Sequence, residues 1–439
     1  MQKRTLIGIR RENINVWEKR VPLIPSHVRE LMKNYPLDVW LQPSSIRIFP
    51  DGDYVREGAK IEENLSSCPI IFAIKEIPLR FIEKEKVYIF FSHTIKGQPH
   101  NMPMLQKMVD LHCTLIDYEK MVNEKGQRLL FFGKQAGQAG MIDTFWALGQ
   151  RLKIEGIKNP FAAVKKATDY KSLVEAREGI EKVGWQIHNR GLGAARPPLI
   201  VGFTGYGHVS QGAQEIFDLL PFEEINPKKF KQFIKEKNFS ANRVYKVVFK
   251  EEDLVKPKSA ASKFDLQDYY DNPQKYKPIF ESYLHHLTVL VNCIYWAPKY
   301  PRFVTKKYLK KLFSSSQSPR LQVIGDISCD VEGSVEATVR ATGPGNPVYV
   351  YDPFQDAALD GFKGSGPVIM AVYNLPAEIP LESSVFFSGA LKPFVPGIAA
   401  ADFSKDFASC HLPEPIQKAV ILFRGQFTPD YEYMKNFIK

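Results

Sequence analysis

The sequence predicts an α/β protein of two domains, each built on a doubly wound parallel sheet, with a cleft between them. In the first third of the chain, short apolar runs alternate with amphipathic helical stretches, the pattern of successive βαβ units. After a Gly- and Pro-rich connector, "GLGAARPP", a second series of the same kind begins. The length agrees, since 439 residues exceed what one small core organises.

The first series reads as strands at "TLIGIR", "DVWLQP", "PIIFAIK", "VYIFFSH" and "CTLIDYE", with helices at "SHVRELMKN" and "NMPMLQKMVDLH" between them. At "GKQAGQAGMIDTFWALGQRL" a long helix is expected, because Met141, Ile142, Phe145, Trp146 and Leu152 recur near helical spacing. Gly133, Gly137 and Gly140 ahead of them would permit close helix packing at a domain junction. The second series runs through "LIVGFTG", "RVYKVVF", "LTVLVNCIYW", "LQVIGDIS" and "NPVYVYDP". Residues 226–275 exceed a normal βα connection and read as an excursion. Near the C-terminus, "NLPAEIPLESSVFFSGALKPFV" and "PEPIQKAVILFRGQFT" look helical. The expected boundaries are therefore 1–135, completed by 375–439, for a substrate domain and 136–374 for a nucleotide domain.

Composition narrows the function classes. The chain is 44% hydrophobic and 24% charged, an ordinary globular balance, and it has no apolar run long enough for a membrane helix. The start passes directly into a strand without a signal-like segment, so a cytoplasmic protein is expected. The net charge of +11 is dispersed, except in "NPKKFKQFIKEK" and "VTKKYLKKL", which read as amphipathic helices. Anionic small molecules are thus expected as partners rather than nucleic acid or membrane. The five cysteines form no CxxC, His285 and His286 are adjacent, and HExxH does not occur, so neither a disulfide framework nor a metal is expected.

The stretch "VGFTGYGHVSQGAQEIFDLLP" has the order strand, glycine turn, helix. Gly205, Tyr206, Gly207, His208, Val209 and Ser210 would offer backbone N–H groups and a helix N-terminus to a pyrophosphate. Ser210 stands where GxGxxG has its third glycine, and Gly212-Ala213 could supply the helix packing instead. The residue that reads the ribose is expected about 20 positions further on, in "FEEINPKKF". Asn226 falls there, and Lys228 and Lys229 would attract a 2′-phosphate, so NADP(H) is favoured over NAD(H).

Ligands of open α/β sheets bind at strand C-terminal ends. The N-terminal domain places ionisable residues there: Lys75 and Glu76 in "FAIKEIP", and His93 and Lys96 in "FFSHTIKGQ". Lys75 and His93 could exchange protons near neutral pH if burial or a cation lowers the lysine pKa. Glu76 and Glu119 could balance them, while Arg20, Lys96 and Arg128 suit carboxylate recognition.

These residues lie within "RRENINVWEKRVPLIPSHV", "IKEIP", "FFSHTIKGQPHNMPML", "LIDYEKMVNEKGQRLLFFGKQAGQAGMID", "FTGYGHVSQGAQEIFDLLP", "LVNCIYWAPKYPRFVT" and "DISCDVEGSVE". Together the stretches closely resemble the lysine-ketoglutarate reductase half of bifunctional aminoadipic semialdehyde synthases. More distantly they resemble lysine-forming saccharopine dehydrogenases and alanine dehydrogenases, whose fold is a pair of Rossmann-like domains. The resemblance implies a free-standing, nicotinamide-dependent reductase that condenses L-lysine with 2-oxoglutarate to saccharopine, or the reverse. It further implies Lys75 and His93 as the acid–base pair, and Arg20 and Arg128 on the oxoglutarate carboxylates. Lys96 and Glu119 would tune the charge, and Asp330 would meet the lysine substrate. One departure stands out: "VYNLPAEIP" has Tyr373 where the resembling reductases have an acid. Two alternatives remain: a dehydrogenase for another amino acid such as alanine or ornithine, and an NADP(H)-binding regulator without turnover.

Overall fold

The computed structural model describes residues 4–195, 197–315 and 319–438; Arg196 of the expected connector lies outside them. The chain divides into two compact units, one made of Met1–Phe132 with Pro380–Lys439, the other of Gly133–Ile379.

The first unit holds an eight-stranded sheet. In spatial order its strands are Gln426–Phe427, Val420–Phe423, Thr114–Asp117, Val87–Phe90, Ile70–Phe72, Thr5–Ile9, Leu37–Leu41 and Lys60–Ile61. The six from Thr114–Asp117 to Lys60–Ile61 run parallel, and Val420–Phe423 adds antiparallel to Thr114–Asp117. Helices cover both faces of such a sheet, so its strands are buried apolar runs rather than alternating ones. The tail read as helical from 413 onward is instead one helical turn, Glu414–Gln417, followed by two strands. The run "AVILF" is too short for a helix and completes a sheet edge.

The second unit carries another eight-stranded sheet, in the order Ala357–Asp360, Val348–Asp352, Val368–Met370, Val323–Asp326, Val289–Asn292, Ile200–Thr204, Val244–Phe249 and Phe222–Glu224. All pairings from Val368–Met370 to Phe222–Glu224 are parallel, and the antiparallel strands Val348–Asp352 and Ala357–Asp360 close one edge. Val244–Phe249 is therefore an inner strand, so the stretch 226–275 is not one excursion but two segments flanking that strand. The later segment contains the ribbon Val255–Pro257 with Tyr276–Pro278.

The helix Gly133–Ile154 packs on the helix His208–Phe217 at backbone contact. A Cβ on Gly137 would lie 1.9 Å from the Val209 carbonyl oxygen, and one on Gly212 would lie 2.1 Å from that of Lys134. The small residues thus serve a contact inside the second unit, and Gly212 supplies the packing for which GxGxxG uses its third glycine. All five cysteines are free thiols.

Candidate active site

In the first unit, neighbouring parallel strands deliver the ionisable residues. Ile70–Phe72 and Val87–Phe90 pair in register, and the pairing runs on through the Ala73 N–H to Ile89 O at 3.0 Å and the Phe91 N–H to Ile74 O at 3.1 Å. Lys75–Glu76 and Ser92–His93 consequently leave adjacent strand ends. His93 Nδ1 meets Glu76 Oε1 at 2.6 Å. Burial opposes charge on Glu76, but the His93 hydrogen bond and the charges of His93 and Lys75 outweigh it and bring the carboxyl down to about 2. A carboxylate that stays ionised can only accept, so Nδ1 carries the proton and Nε2 is the nitrogen left for proton exchange.

His93 has φ +47°, a left-handed conformation that costs a non-glycine residue free energy and is sustained only by its surroundings. Asn101 Nδ2 donates to the carbonyls of Ser92 at 3.2 Å and His93 at 3.1 Å. The Ser92 hydroxyl and N–H both donate to Asp117, which ends the next strand. Burial raises that carboxyl to about 6.

Lys75 is half-buried. Burial first, then the charge of Arg20, pull its ammonium below the usual lysine range, against the carboxylates of Glu76, Glu18 and Glu12. Arg20 itself is engaged: Nε and Nη2 donate to the two oxygens of Glu18 at 2.7 and 2.6 Å, with both side chains buried. Its guanidinium also lies 4.4 Å from the centre of the Phe132 ring. The fork expected to clasp a substrate carboxylate therefore grips Glu18. Arg128, on the exposed stretch after Val122, pairs with Glu119, which follows the Thr114–Asp117 strand. Lys96 is exposed. Phe91, Tyr118, Phe132 and Phe387 pack edge-to-face and stacked behind His93, forming an aromatic wall.

In the second unit, Gly205 follows the strand Ile200–Thr204 with φ +85°, and Gly207 caps the helix His208–Phe217 without a side-chain hydrogen bond. A Cβ on Gly207 would project into open space, with nothing within 4 Å. A bare backbone cradle at an uncapped helix start fits a pyrophosphate. Tyr206, Gly207 and His208 are exposed, Val209 is half-buried, and Ser210 is buried and accepts from Gln214 Nε2 at 2.9 Å.

Asn226 does not stand beside this turn. It follows the outer strand Phe222–Glu224, separated from Ile200–Thr204 by Val244–Phe249, and its side chain accepts the Lys228 N–H at 2.9 Å. Beside the glycine turn are the residues after the inner strand. The Gly205 N–H donates to Phe249 O at 2.9 Å, Lys250 Nζ lies 5.5 Å from the Tyr206 ring centre, and Tyr270 Oη donates to Glu251 at 2.8 Å. The apolar run "VYKVVF" closed by Lys250 and Glu251 was the available signal, whereas all three residues of Phe222–Glu224 are exposed.

Asp330 lies in the turn after Val323–Asp326. That turn is anchored by buried Asp326, which accepts from Asn292 Nδ2 at 2.8 Å, the Thr338 hydroxyl and the Cys329 N–H. Among the described residues no group of three His, Cys, Asp or Glu is arranged to hold a metal, and no helix is long and apolar enough to cross a membrane.

A parallel sheet with a glycine turn opening a helix at a central strand defines a dinucleotide-fold protein, here with a second α/β unit bearing a Lys, His and carboxylate cluster. Residues 8–139 match the family described as alanine dehydrogenase/PNT, N-terminal domain. The chain is 38% identical to an alpha-aminoadipic semialdehyde synthase of Arabidopsis thaliana, over 99% of this chain and 42% of that one. A mitochondrial alpha-aminoadipic semialdehyde synthase of Bos taurus is 33% identical, with 99% and 48% covered. The chain thus spans a little under half the length of these relatives. A lysine-forming, NAD(+) saccharopine dehydrogenase of Emericella nidulans is 26% identical, over 86% of this chain and 88% of that one. A solved L-alanine dehydrogenase shares the fold at TM-score 0.62 and 16% identity, with 98% and 99% of the two chains covered. Residues 8–139 are thus similar to the N-terminal domain of the alanine dehydrogenase/PNT family, and the chain as a whole is similar to a little under half of the aminoadipic semialdehyde synthases.

Proposed function

We propose that this chain catalyses reductive condensation of L-lysine with 2-oxoglutarate to saccharopine, or its reverse, with a nicotinamide cofactor. The observation that carries the reading is the chain Lys75, Glu76, His93, in which ionised Glu76 fixes the His93 tautomer beside a lysine of lowered pKa. Attack of an amine on a ketone needs a base, and loss of water from the adduct needs an acid, both working near neutral pH. Lys75 would take the proton from the incoming ε-amine, and His93 Nε2 would supply and recover protons as carbinolamine loses water. The aromatic wall behind His93 would keep competing water away.

Since Arg20 is engaged by Glu18, its role would be to depress the Lys75 pKa, with Arg128 and Lys96 meeting the oxoglutarate carboxylates and Glu119 tuning Arg128. Asp330 would meet the lysine substrate. Gly205 to Ser210 would hold the pyrophosphate of the cofactor, which when bound supplies or accepts the hydride. NADP(H) is favoured over NAD(H), now on Lys250 rather than Lys228 and Lys229, because Glu251 is already engaged by Tyr270.

The test is NADPH and NADH oxidation with 2-oxoglutarate and L-lysine, ornithine or alanine, for wild type and Lys75→Met. Turnover that requires lysine and falls at least about 100-fold in the variant is expected. Turnover only with another amine would overturn lysine as the donor and direct attention to Tyr373, which is 54% exposed. Cofactor binding with no turnover would leave a regulator.

A further inference from the structure

Glu12 is a buried carboxylate, 7% exposed, just beyond the strand Thr5–Ile9. Its Oε1 accepts the Ile74 N–H at 2.6 Å and its Oε2 the Lys75 N–H at 3.1 Å. The last strand-to-strand donor before them is Ala73, so these two consecutive amides find their acceptors in Glu12. One carboxylate therefore grips the turn from which both Lys75 and Glu76 project, and Glu76 in turn holds His93. The charged and titratable groups around Glu12 are Glu18, Arg10, Arg47, Lys75 and the Tyr118 hydroxyl. Among the described residues no ion pair joins Glu12 to a cation, whereas Glu18 is clasped by Arg20. Burial and the charge of Glu18 raise the Glu12 carboxyl to about 7, against the two backbone hydrogen bonds and Arg10.

We propose that Glu12 is the positioning residue of this site: by bridging two consecutive backbone N–H groups it fixes the turn that carries Lys75 and Glu76, and its charge adds to those of Glu76 and Glu18 in holding the proton on Lys75. The inference rests on the reading of Lys75 as a proton-exchanging group, yet its test needs no turnover. The full chain is reductively methylated across a pH series and the labelling of Lys75 is followed by peptide mass spectrometry, with exposed Lys33 as internal control. Amide exchange of the peptide containing Ile74 and Lys75 is measured in parallel.

Glu12→Gln removes the charge and places an NH2 where one acceptor was. Lys75 is then expected to label faster above about pH 7, where wild-type Glu12 is ionised, by up to about tenfold, while Lys33 is unchanged. Exchange at Ile74–Lys75 should rise by about tenfold or more, ahead of the rest of the unit. Glu12→Asp keeps the charge but withdraws the carboxylate by one methylene, so the labelling profile should stay while exchange rises. Labelling and exchange both unmoved in Glu12→Gln, or a loss spread evenly over the unit, would overturn the proposal. If Glu12→Gln fails to fold, unchanged exchange at Ile74–Lys75 in Glu12→Asp overturns it alone. Loss of the reductase reading would show as absent turnover in wild type and leave these readouts intact.

Discussion

Replacing Glu378 by Gln should make the protein more stable than wild type at alkaline pH and remove a pH dependence centred in the second unit. Glu378 ends the short helical segment Leu375–Glu378 and is 3% exposed; Asp143, fully buried on the helix Gly133–Ile154, faces it. The two buried carboxyl groups oppose each other's ionisation, so one of them keeps a proton, and Asp143 Oδ1 accepts the Ala167 N–H at 2.7 Å. Burial and the charge of Asp143 drive the Glu378 carboxyl well above the carboxylate range, Asp169 adding to this and Lys166 opposing it. Burial raises Asp143 to about 6. A carboxyl raised in the fold keeps a proton that the unfolded chain releases. Its stabilisation is complete below the unfolded value and is lost as pH climbs through the folded one.

Above pH 6 the remaining loss belongs to Glu378, at about 1.4 kcal/mol per pH unit while the fold retains the proton. Wild type should therefore lose stability at that rate relative to Glu378→Gln as pH rises from about 6, because the amide does not titrate. For a unit of this size that is roughly 3–6 °C in Tm per pH unit, readable by calorimetry across a series from about pH 6 to about pH 8. A separation between the two Tm curves that stays constant within about 1 °C over this range would refute the retained proton.

Gly207→Ala should leave Tm within about 1 °C, because the added Cβ meets no atom and φ is −75°, yet weaken nicotinamide cofactor binding by about tenfold or more. Unchanged affinity by titration calorimetry would move the cofactor away from the glycine turn. Gly137→Ala should be destabilised by about 3 kcal/mol in a urea titration, because its Cβ would overlap the Val209 carbonyl of a packed helix. Lys250→Ala should weaken NADPH by about tenfold and leave NADH nearly unchanged, whereas Asn226→Ala should alter neither. Equal losses for both cofactors would show that Lys250 does not read a 2′-phosphate.

Much of the architecture was legible in the sequence because it is dictated locally. Apolar runs bounded by turn residues mark the parallel strands, helical periodicity marks Gly133–Ile154, and the strand, glycine turn and helix around Gly205 follow from steric rules that act over a few residues. The ionisable residues at strand ends could be nominated for the same reason, since parallel strands expose their C-terminal ends. Which strand lies beside which is a different matter, set by packing among segments far apart in the chain. Val244–Phe249, not Phe222–Glu224, neighbours the glycine-turn strand, and this exchanges Asn226 for Lys250 beside the turn. The same applies to partners brought together only by burial: Glu18 on Arg20, Glu12 on the Lys75 turn, Asp143 on Glu378. No periodicity announces such pairs. A buried charge must find a partner wherever the fold brings one, so the tertiary structure decided which arginine fork was taken, which carboxyl kept its proton and which lysine was depressed.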